Sequence, residues 1–312
     1  MTKNELVELI RREMPGLSLR LDEPMARHCS FRIGGPADIF AEVESESQAA
    51  GLYALCKSAG VPLLVIGRGT NLLVCDEGVS GVVMRLGGDF LDARVEGRLL
   101  YAGAACPLSR AATLARQAEL TGLEFAHGIP GSLGGAIMMN AGAYGGEMSG
   151  VVESVRCLDG DGVVREYSAE KLDFSYRHSR FCDRGGVILS ARLSLEPGDG
   201  AEIEARMREL MEKRAASQPL DRPSAGSTFK RPKTGYAAAM IDGAGLKGFQ
   251  VGGAAVSEKH AGFVVNLGGA SFADVTAVME HVRKTVLDKY GVELEPEVRL
   301  LFLSRKNNRK EP

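Results

Sequence analysis

The stretch "HGIPGSLGGAIMMNAGAYGGEM", residues 127–148, decides how the chain is read. Seven glycines fall between Gly128 and Gly146, separated by small residues. No Gly-Lys-Ser/Thr follows, so the run is not a P-loop, and it is too apolar for a flexible linker. Gly134, Gly135 and Ala136 suit a helix around 131–140 that packs closely on a neighbour, entered through Gly131 and Ser132. A helix start offers backbone N–H groups and the positive end of the peptide dipoles, which suits a pyrophosphate. The competing reading is a close helix–strand contact that holds no ligand.

A second loop has the same character. "VIGRGTNLLV", residues 65–74, sets Gly67 and Gly69 after an apolar strand. The third glycine of a dinucleotide fingerprint is missing, and Asn71-Leu72-Leu73-Val74 does not open a helix, so the Rossmann reading fails. What remains is either a turn whose N–H groups converge on an anion or a bare hairpin turn. Two such loops on adjacent lobes suggest a dinucleotide held between them.

The wider composition narrows the classes. A chain of 312 residues accommodates two or three domains. A formal net charge of −2 supplies no global field for nucleic acid or an anionic membrane. No Trp and 6% aromatic content leave few platforms for stacking single-stranded bases. The six cysteines (Cys29, Cys56, Cys75, Cys106, Cys157, Cys182) contain no CxxC pair, and the five histidines are dispersed. No metal site is predicted, and buried reduced thiols are. Nothing approaches the apolar length of a membrane span. The N-terminus reads as an amphipathic helix with a Thr2/Glu5 capping box and Leu6, Val7, Leu9, Ile10 and Met14 inward, rather than as a leader. A cytoplasmic monomer is expected.

Along the chain, residues 1–90 read as a first lobe, with strands at "ADIFAEV", "PLLVIG", "NLLV" and "GVVMRL" and a helix capped by Ser45 and stopped by Gly60. Residues 91–200 form a second lobe of four strands interrupted by helices. Residues 201–312 form a third domain. It opens with a helix over 201–214, with Ile203, Met207, Leu210 and Met211 inward. Strands follow near 227–230, 261–266 and 298–303. A helix over 272–290, capped by Ser271, turns Val275, Val278, Met279, Val282, Val286 and Leu287 inward. The tail "SRKNNRKEP" is expected to fray. Within the third domain "SAGSTFKRP", residues 224–232, leads through small residues to Ser227 with two cations behind it. Taken alone, this is a turn entering an edge strand, on which Lys230 would face away from Ser227.

Seven segments in order resemble one family: "CSFRIGGPAD" (29–38), "VIGRGTNLLV" (65–74), "GIPGSLGGAIMMNAGAYGGE" (128–147), "YRHSRF" (176–181), "PSAGSTFKRP" (223–232), "HAGFVVN" (260–266) and "LEPEVRLL" (294–301). They are similar to the UDP-N-acetylenolpyruvoylglucosamine reductase (MurB) family of flavoenzymes in peptidoglycan synthesis. The resemblance implies an α+β protein with an FAD-binding fold of the vanillyl-alcohol-oxidase (PCMH) type: two α/β FAD-binding lobes and a substrate-binding α+β domain. By this resemblance FAD contacts fall on Arg32, Ile33 and Gly34; on Gly67, Arg68, Gly69, Thr70, Asn71 and Leu72; and on Gly128, Ile129, Pro130, Gly131, Ser132, Gly134, Gly135, Asn140, Ala141, Gly142 and Ala143. Cys29 stands where the family usually has Thr. The stretch from Arg177 to Ser227 is too short for an extra substrate-covering loop, which implies the shorter type II form.

The implied reaction uses NADPH and FAD to saturate the enolpyruvyl ether of a UDP-linked amino sugar. Ser227 would protonate the carbanion-like C2, Arg177 would hold the substrate carboxylate, and Glu297 would act protonated or orient a water, its pKa raised by burial. Glu295 is the competing carboxylate. Tyr176, Lys230, Lys213 and Arg214, with Lys247, are candidates for the substrate and its diphosphate. The alternatives are a flavin oxidase of the same fold, with covalently held FAD, and a binding protein that has lost the chemistry.

Overall fold

A computed structural model describes residues 2–302 of the chain. In the first lobe Thr2 and Glu5 form a capping box on α1 (Lys3–Glu13), which buries Leu6, Val7 and Ile10. β1 (Ser18–Pro24) pairs antiparallel with β2 (Pro36–Val43). Ser45 caps α2 (Glu46–Ala59), and Gly60, at φ 63°, ends it in the left-handed conformation that glycine tolerates. β3 (Leu63–Ile66), β4 (Leu72–Val74) and β5 (Val79–Leu86) follow. The sheet order is β1-β2-β5-β3, with β5 parallel to both β2 and β3. Those parallel pairings require the crossovers that α2 and the β3–β5 connection provide.

The second lobe holds β6 (Ala93–Glu96), β7 (Leu99–Gly103), α3 (Leu108–Gln117), β8 (Leu120–Thr121) and α4 (Leu133–Met138). A hairpin of β9 (Gly142–Ala143) and β10 (Gly146–Glu147) precedes β11 (Val152–Leu158) and β12 (Val164–Ser168). Then come α5 (Arg180–Arg184), β13 (Val187–Ser194), β14 (Glu196–Pro197) and α6 (Gly200–Ser217). Its five-stranded sheet, β12-β11-β13-β7-β6, is wholly antiparallel. α6, expected to open the third domain, buries Ile203 and Met207 in this lobe's core instead. Met211, expected inward, is 37% exposed.

The third domain contains α7 (Ala237–Gly243), β15 (Gln250–Val251), β16 (Ala254–Val256), β17 (Val264–Asn266), α8 (Phe272–Tyr290) and β18 (Arg299–Leu301). α8 packs on the three-stranded sheet and buries Val275, Val278, Met279, Val282 and Val286. Leu287 is exposed, because it lies about 100° around the helix from Val286. The strand expected at 227–230 does not form. Ser224 bridges Val265 and Phe229 bridges Pro296 as isolated pairs, and Gly226, at φ 79°, breaks the extended run between them. β18 pairs in parallel with β4, so the chain returns to the first lobe. Position 303 of the expected last strand and the tail expected to fray lie outside the described residues.

Apolar side chains join the units. Cys29, Phe31, Ile33 and Leu73 of the first lobe are buried in the third domain's core, and Leu158, Val187 and Leu189 of the second in the first lobe's core. Five of the cysteines, Cys29, Cys56, Cys75, Cys106 and Cys157, are buried, and Cys182 is exposed. Among the described residues no helix is long and apolar enough to cross a membrane, and no cluster of side chains could hold a metal ion.

The capping box at α8, in which Ser271 and Asp274 each bond the other's backbone N–H, is separable from the helix's buried face. Ser271→Ala should cost about 1 kcal/mol and lower the urea midpoint. An unchanged midpoint would mean that packing alone holds the helix.

Candidate active site

A cleft of about 800 Å³ runs between the first two lobes. That is near the upper end of ligand-pocket sizes. Gly67, Arg68 and Thr70 line it from the β3–β4 turn; Pro130, Ser132, Gly134 and Gly135 line it from the glycine-rich run. Val65, Ile66, Leu86, Met138, Phe181 and Ile188 supply apolar walls. The two loops approach so closely that a methyl group at Gly67 would collide with Ser132 Oγ. At Gly69, φ 63°, a Cβ would run into the backbone of His28 and Cys29, so only glycine lets this turn close.

These features fit a flavin dinucleotide. The walls suit flat rings, the absent side chain of Gly67 lets the two loops meet at Ser132, and Arg27, Arg68 and Arg85 bring positive charge to a pyrophosphate. One expectation is revised. α4 is six residues long, and its first amides are already used: Leu133 N–H donates to the Cys106 carbonyl and Gly134 N–H to that of Ala104, both at 2.9 Å. Gly134 therefore packs against Ala104 rather than presenting a free amide.

The other residues named from the sequence lie around this cleft in different roles. Arg32 is exposed at φ 56°, whereas Ile33 is 2% exposed, in the third domain's core. Gly34 abuts Val74 and Met25, and Leu72 belongs to β4. Gly128 packs against Met211 and Arg214 of α6, and Ile129 against the second lobe's core. The Gly131 carbonyl accepts from Leu108 N–H. Buried Asn140 donates to the Ser175 carbonyl at 3.1 Å and accepts from Ser149 N–H at 2.9 Å, so both ends of its amide bind protein. Ala141 N–H donates to the Ala136 carbonyl, and Gly142 and Ala143 form β9.

The catalytic candidates come from three segments. Arg177 Nε donates to Glu297 Oε1 at 2.5 Å, and a terminal N–H of Arg177 donates to the Gly142 carbonyl at 3.4 Å. Both side chains are largely buried, and Arg177 holds φ 55°, uncommon for a non-glycine residue. Glu297 N–H donates to the Thr228 carbonyl at 2.8 Å, which brings Glu297 beside the Ser227–Thr228 peptide. Asn71 donates its side-chain amide to the Glu297 carbonyl at 3.1 Å and accepts Arg299 N–H at its own carbonyl. Burial pushes the Glu297 carboxyl above the ordinary range, opposed by Arg177 and Lys230. Ser30, a cleft residue, donates its hydroxyl to the Ser224 carbonyl at 2.6 Å, and Arg299 reaches Met138 of the cleft wall at 3.2 Å. The carboxylate, the guanidinium and the Ser227 segment thus adjoin the side of the cleft formed by Ser30, Thr70 and Met138.

The remaining cations differ in how they are engaged. Lys230 pairs with Glu295 at 3.2 Å, Lys213 with Glu209, and Lys247 with Asp242 at 2.9 Å. Arg214 is half-buried, bonds the neutral Gln218, and lies 5.9 Å from the Tyr144 ring. Tyr176 Oη accepts from Arg231 N–H at 3.1 Å, linking the second lobe to the third domain. Sequence reasoning missed His28, Glu42 and Arg85 on the cleft wall. A charge at the carboxyl end of the apolar strand "GVVMRL" was the available signal for Arg85; no local spacing points to the other two.

Comparison with known proteins gives one answer. The model described as UDP-N-acetylenolpyruvoylglucosamine reductase, C-terminal domain, matches residues 218–301, and that of an FAD binding domain matches residues 37–168. UDP-N-acetylenolpyruvoylglucosamine reductase of Caldanaerobacter subterraneus is 47% identical over 95% of this chain and 98% of its own length. That of Agathobacter rectalis is 46% identical over 95% and 98%. The crystal structure of the Thermus caldophilus enzyme (MurB) is 36% identical, with a TM-score of 0.79 over 91% of this chain and 98% of its own. With the fold, the cleft and near-full-length identity in agreement, the chain belongs to the UDP-N-acetylenolpyruvoylglucosamine reductase family.

Proposed function

We propose that this protein reduces the enolpyruvyl ether of UDP-N-acetylglucosamine to the lactyl ether of UDP-N-acetylmuramate, with FAD in the interlobe cleft and NADPH as co-substrate. The observation that carries this reading is the meeting of Arg177, Glu297 and the Ser227 segment beside a cleft of flavin size. FAD, when bound, supplies hydride chemistry that no side chain offers. Gly67, Arg68, Gly69 and Thr70 on one loop and Ser132 and Gly135 on the other would hold it, with Gly134 packed on Ala104 behind them. Ile33, Asn140 and Ala141 would support those loops from within the protein. Arg214, Tyr176, Lys230 and Lys213 would meet the nucleotide end of the substrate. Every group invoked lies on one chain, so the reading needs no second copy, and a cytoplasmic setting suits a nucleotide-linked substrate.

Hydride arriving at C3 of the enolpyruvyl group leaves negative charge at C2 that spreads into the adjoining carboxylate. Arg177 keeps N–H groups beyond those given to Glu297 and Gly142, and these can fork onto that carboxylate as its charge grows. Ser227 Oγ–H then protonates C2. A hydroxyl is too weak an acid to lose its proton beforehand, yet a carbanion-like carbon is basic enough to take it. Bringing a second carboxylate to Arg177 adds negative charge next to Glu297, whose carboxyl burial has already raised. Both effects favour protonated Glu297, which donates a hydrogen bond where an anion would repel.

Ser227→Ala separates the two half-reactions. Oxidation of NADPH needs no proton at C2 and should keep its rate, whereas flavin re-oxidation by the enolpyruvyl substrate should slow by about 10²–10⁴-fold or more in stopped flow. Equal slowing of both would make Ser227 a positioning or folding residue.

The raised carboxyl of Glu297 sets the sign of a pH effect. If the protonated form is the working one, substrate-driven re-oxidation is fast at low pH and falls as pH rises through a value above the usual carboxylate range of about 4. Glu297→Gln should remove that alkaline fall and slow the step. A Gln variant that retains the same fall would assign the titration to another group.

A further inference from the structure

The wall of the cleft that the proposed chemistry does not use carries a charged relay. His28 is 9% exposed, lies at the cleft, and stacks on Phe40 with ring centroids 4.1 Å apart. Its Nε2 lies 2.8 Å from Glu23 Oε1 and its Nδ1 lies 3.0 Å from a terminal nitrogen of Arg85. A guanidinium can only donate, so Nδ1 must accept. The carboxylate of Glu23 can only accept, so the proton sits on Nε2. Two neighbours therefore dictate one neutral tautomer.

Arg85 is the residue this arrangement fixes. It pairs across the sheet with Ile66 of β3, the residue before Gly67, and with Glu42 of β2. Its second terminal nitrogen donates to Glu42 Oε1. Arg85 thus stands beside the turn that would receive a pyrophosphate, at the carboxyl end of parallel strands, where α/β sheets place their ligands. The cleft's other two cations, Arg27 and Arg68, are exposed.

We propose that His28 is a positioning residue for FAD: as the neutral Nε2–H tautomer it holds the Arg85 guanidinium toward the cofactor's pyrophosphate, and its protonation releases that guanidinium and weakens FAD binding. This rests on the FAD reading of the cleft. The proton added in acid lands on Nδ1, since Nε2 already carries one, and turns an acceptor into a donor that faces Arg85. Glu23 on β1 and Glu42 on β2 are the carboxylates of this cluster, and Arg20 on β1, Arg85 on β5 and Arg27 on its own segment are its cations. Glu23 is already committed to the Nε2 proton, which holds its carboxyl below the usual range. With the His28 bond lost, Arg85 keeps Glu42 and its place over the Phe40 ring, 5.3 Å from the centroid, and no longer has the contact that aims it along the cleft wall.

The test is the FAD dissociation constant of the holoprotein, read from released flavin fluorescence between about pH 8 and about pH 5. In the wild type it should rise about tenfold on acidification, the worth of one hydrogen bond to a charged group. His28→Gln supplies one donor and one acceptor without titrating, so it should flatten the profile. Arg85→Met should bind FAD more weakly at every pH, with a flat profile. A purely structural role for His28 predicts no such link between the two variants. A flavin-loaded wild type with a flat profile overturns this inference alone, as does an Arg85→Met profile as steep as the wild type's. A wild type that retains no flavin at about pH 8 overturns the cofactor reading and the inference with it.

Discussion

A guanidinium and a carboxylate, 120 residues apart in the chain and both mostly withdrawn from water, meet at 2.5 Å between Arg177 and Glu297. Burying such a pair costs several kcal/mol per ion, about what the attraction returns, so its contribution to stability is small. Its geometry nevertheless constrains the whole molecule, because the third domain must sit where Glu297 can reach the second lobe. The backbone contacts around it serve that end. Thr228 and Asn71 grip the Glu297 peptide from two sides, and β18 carries the following residues into the first lobe beside β4. Arg177 is held in a left-handed turn with the Gly142 carbonyl at its other side. Strain and buried charge concentrated at one place are features that function retains and stability alone would remove.

The cleft follows from the sheet beside it. β3 and β5 run parallel, and their carboxyl ends deliver Ile66 and Arg85 side by side at the cavity wall. The chain then turns at Gly67 and Gly69, where missing side chains let it close against Ser132 and against the backbone of His28 and Cys29. The second lobe brings its glycine-rich run to the same opening through bonds from Leu133 and Gly134 to the loop after β7. Those two amides position α4 and are lost to a ligand. The cleft is therefore lined by short loops and side chains and by the six-residue α4.

Much of this was legible in local sequence. Helix caps at Thr2, Ser45 and Ser271 and the stop at Gly60 were readable because a cap depends on residues within a few positions. The two glycine loops stood out as candidate ligand loops, with a bare turn for one and a close helix–strand contact for the other as competing readings. Ser227, Arg177 and Glu297 were not readable from spacing. They came forward only because seven ordered segments resembled a family. The expected strand over 227–230 failed because only Phe229 within it finds a partner, a single bridge to Pro296, while Ser224 before it bridges Val265, so no ladder forms.

What the sequence alone determined, then, is whatever short-range chemistry dictates: the caps, the amphipathic faces, the sharp turns and the family to which the ordered motifs belong. Where charges and cores meet across the chain depends on the folded arrangement. α6 joins the second lobe because Ile203 and Met207 find an apolar surface there, and Ile33 is a core residue because the third domain covers it. His28 acquires its single tautomer from Glu23, close by in sequence, and from Arg85, which the sheet brings to it. A hydrogen bond needs its partner within about 3 Å and correctly aimed, a condition on three-dimensional distance that sequence separation does not encode.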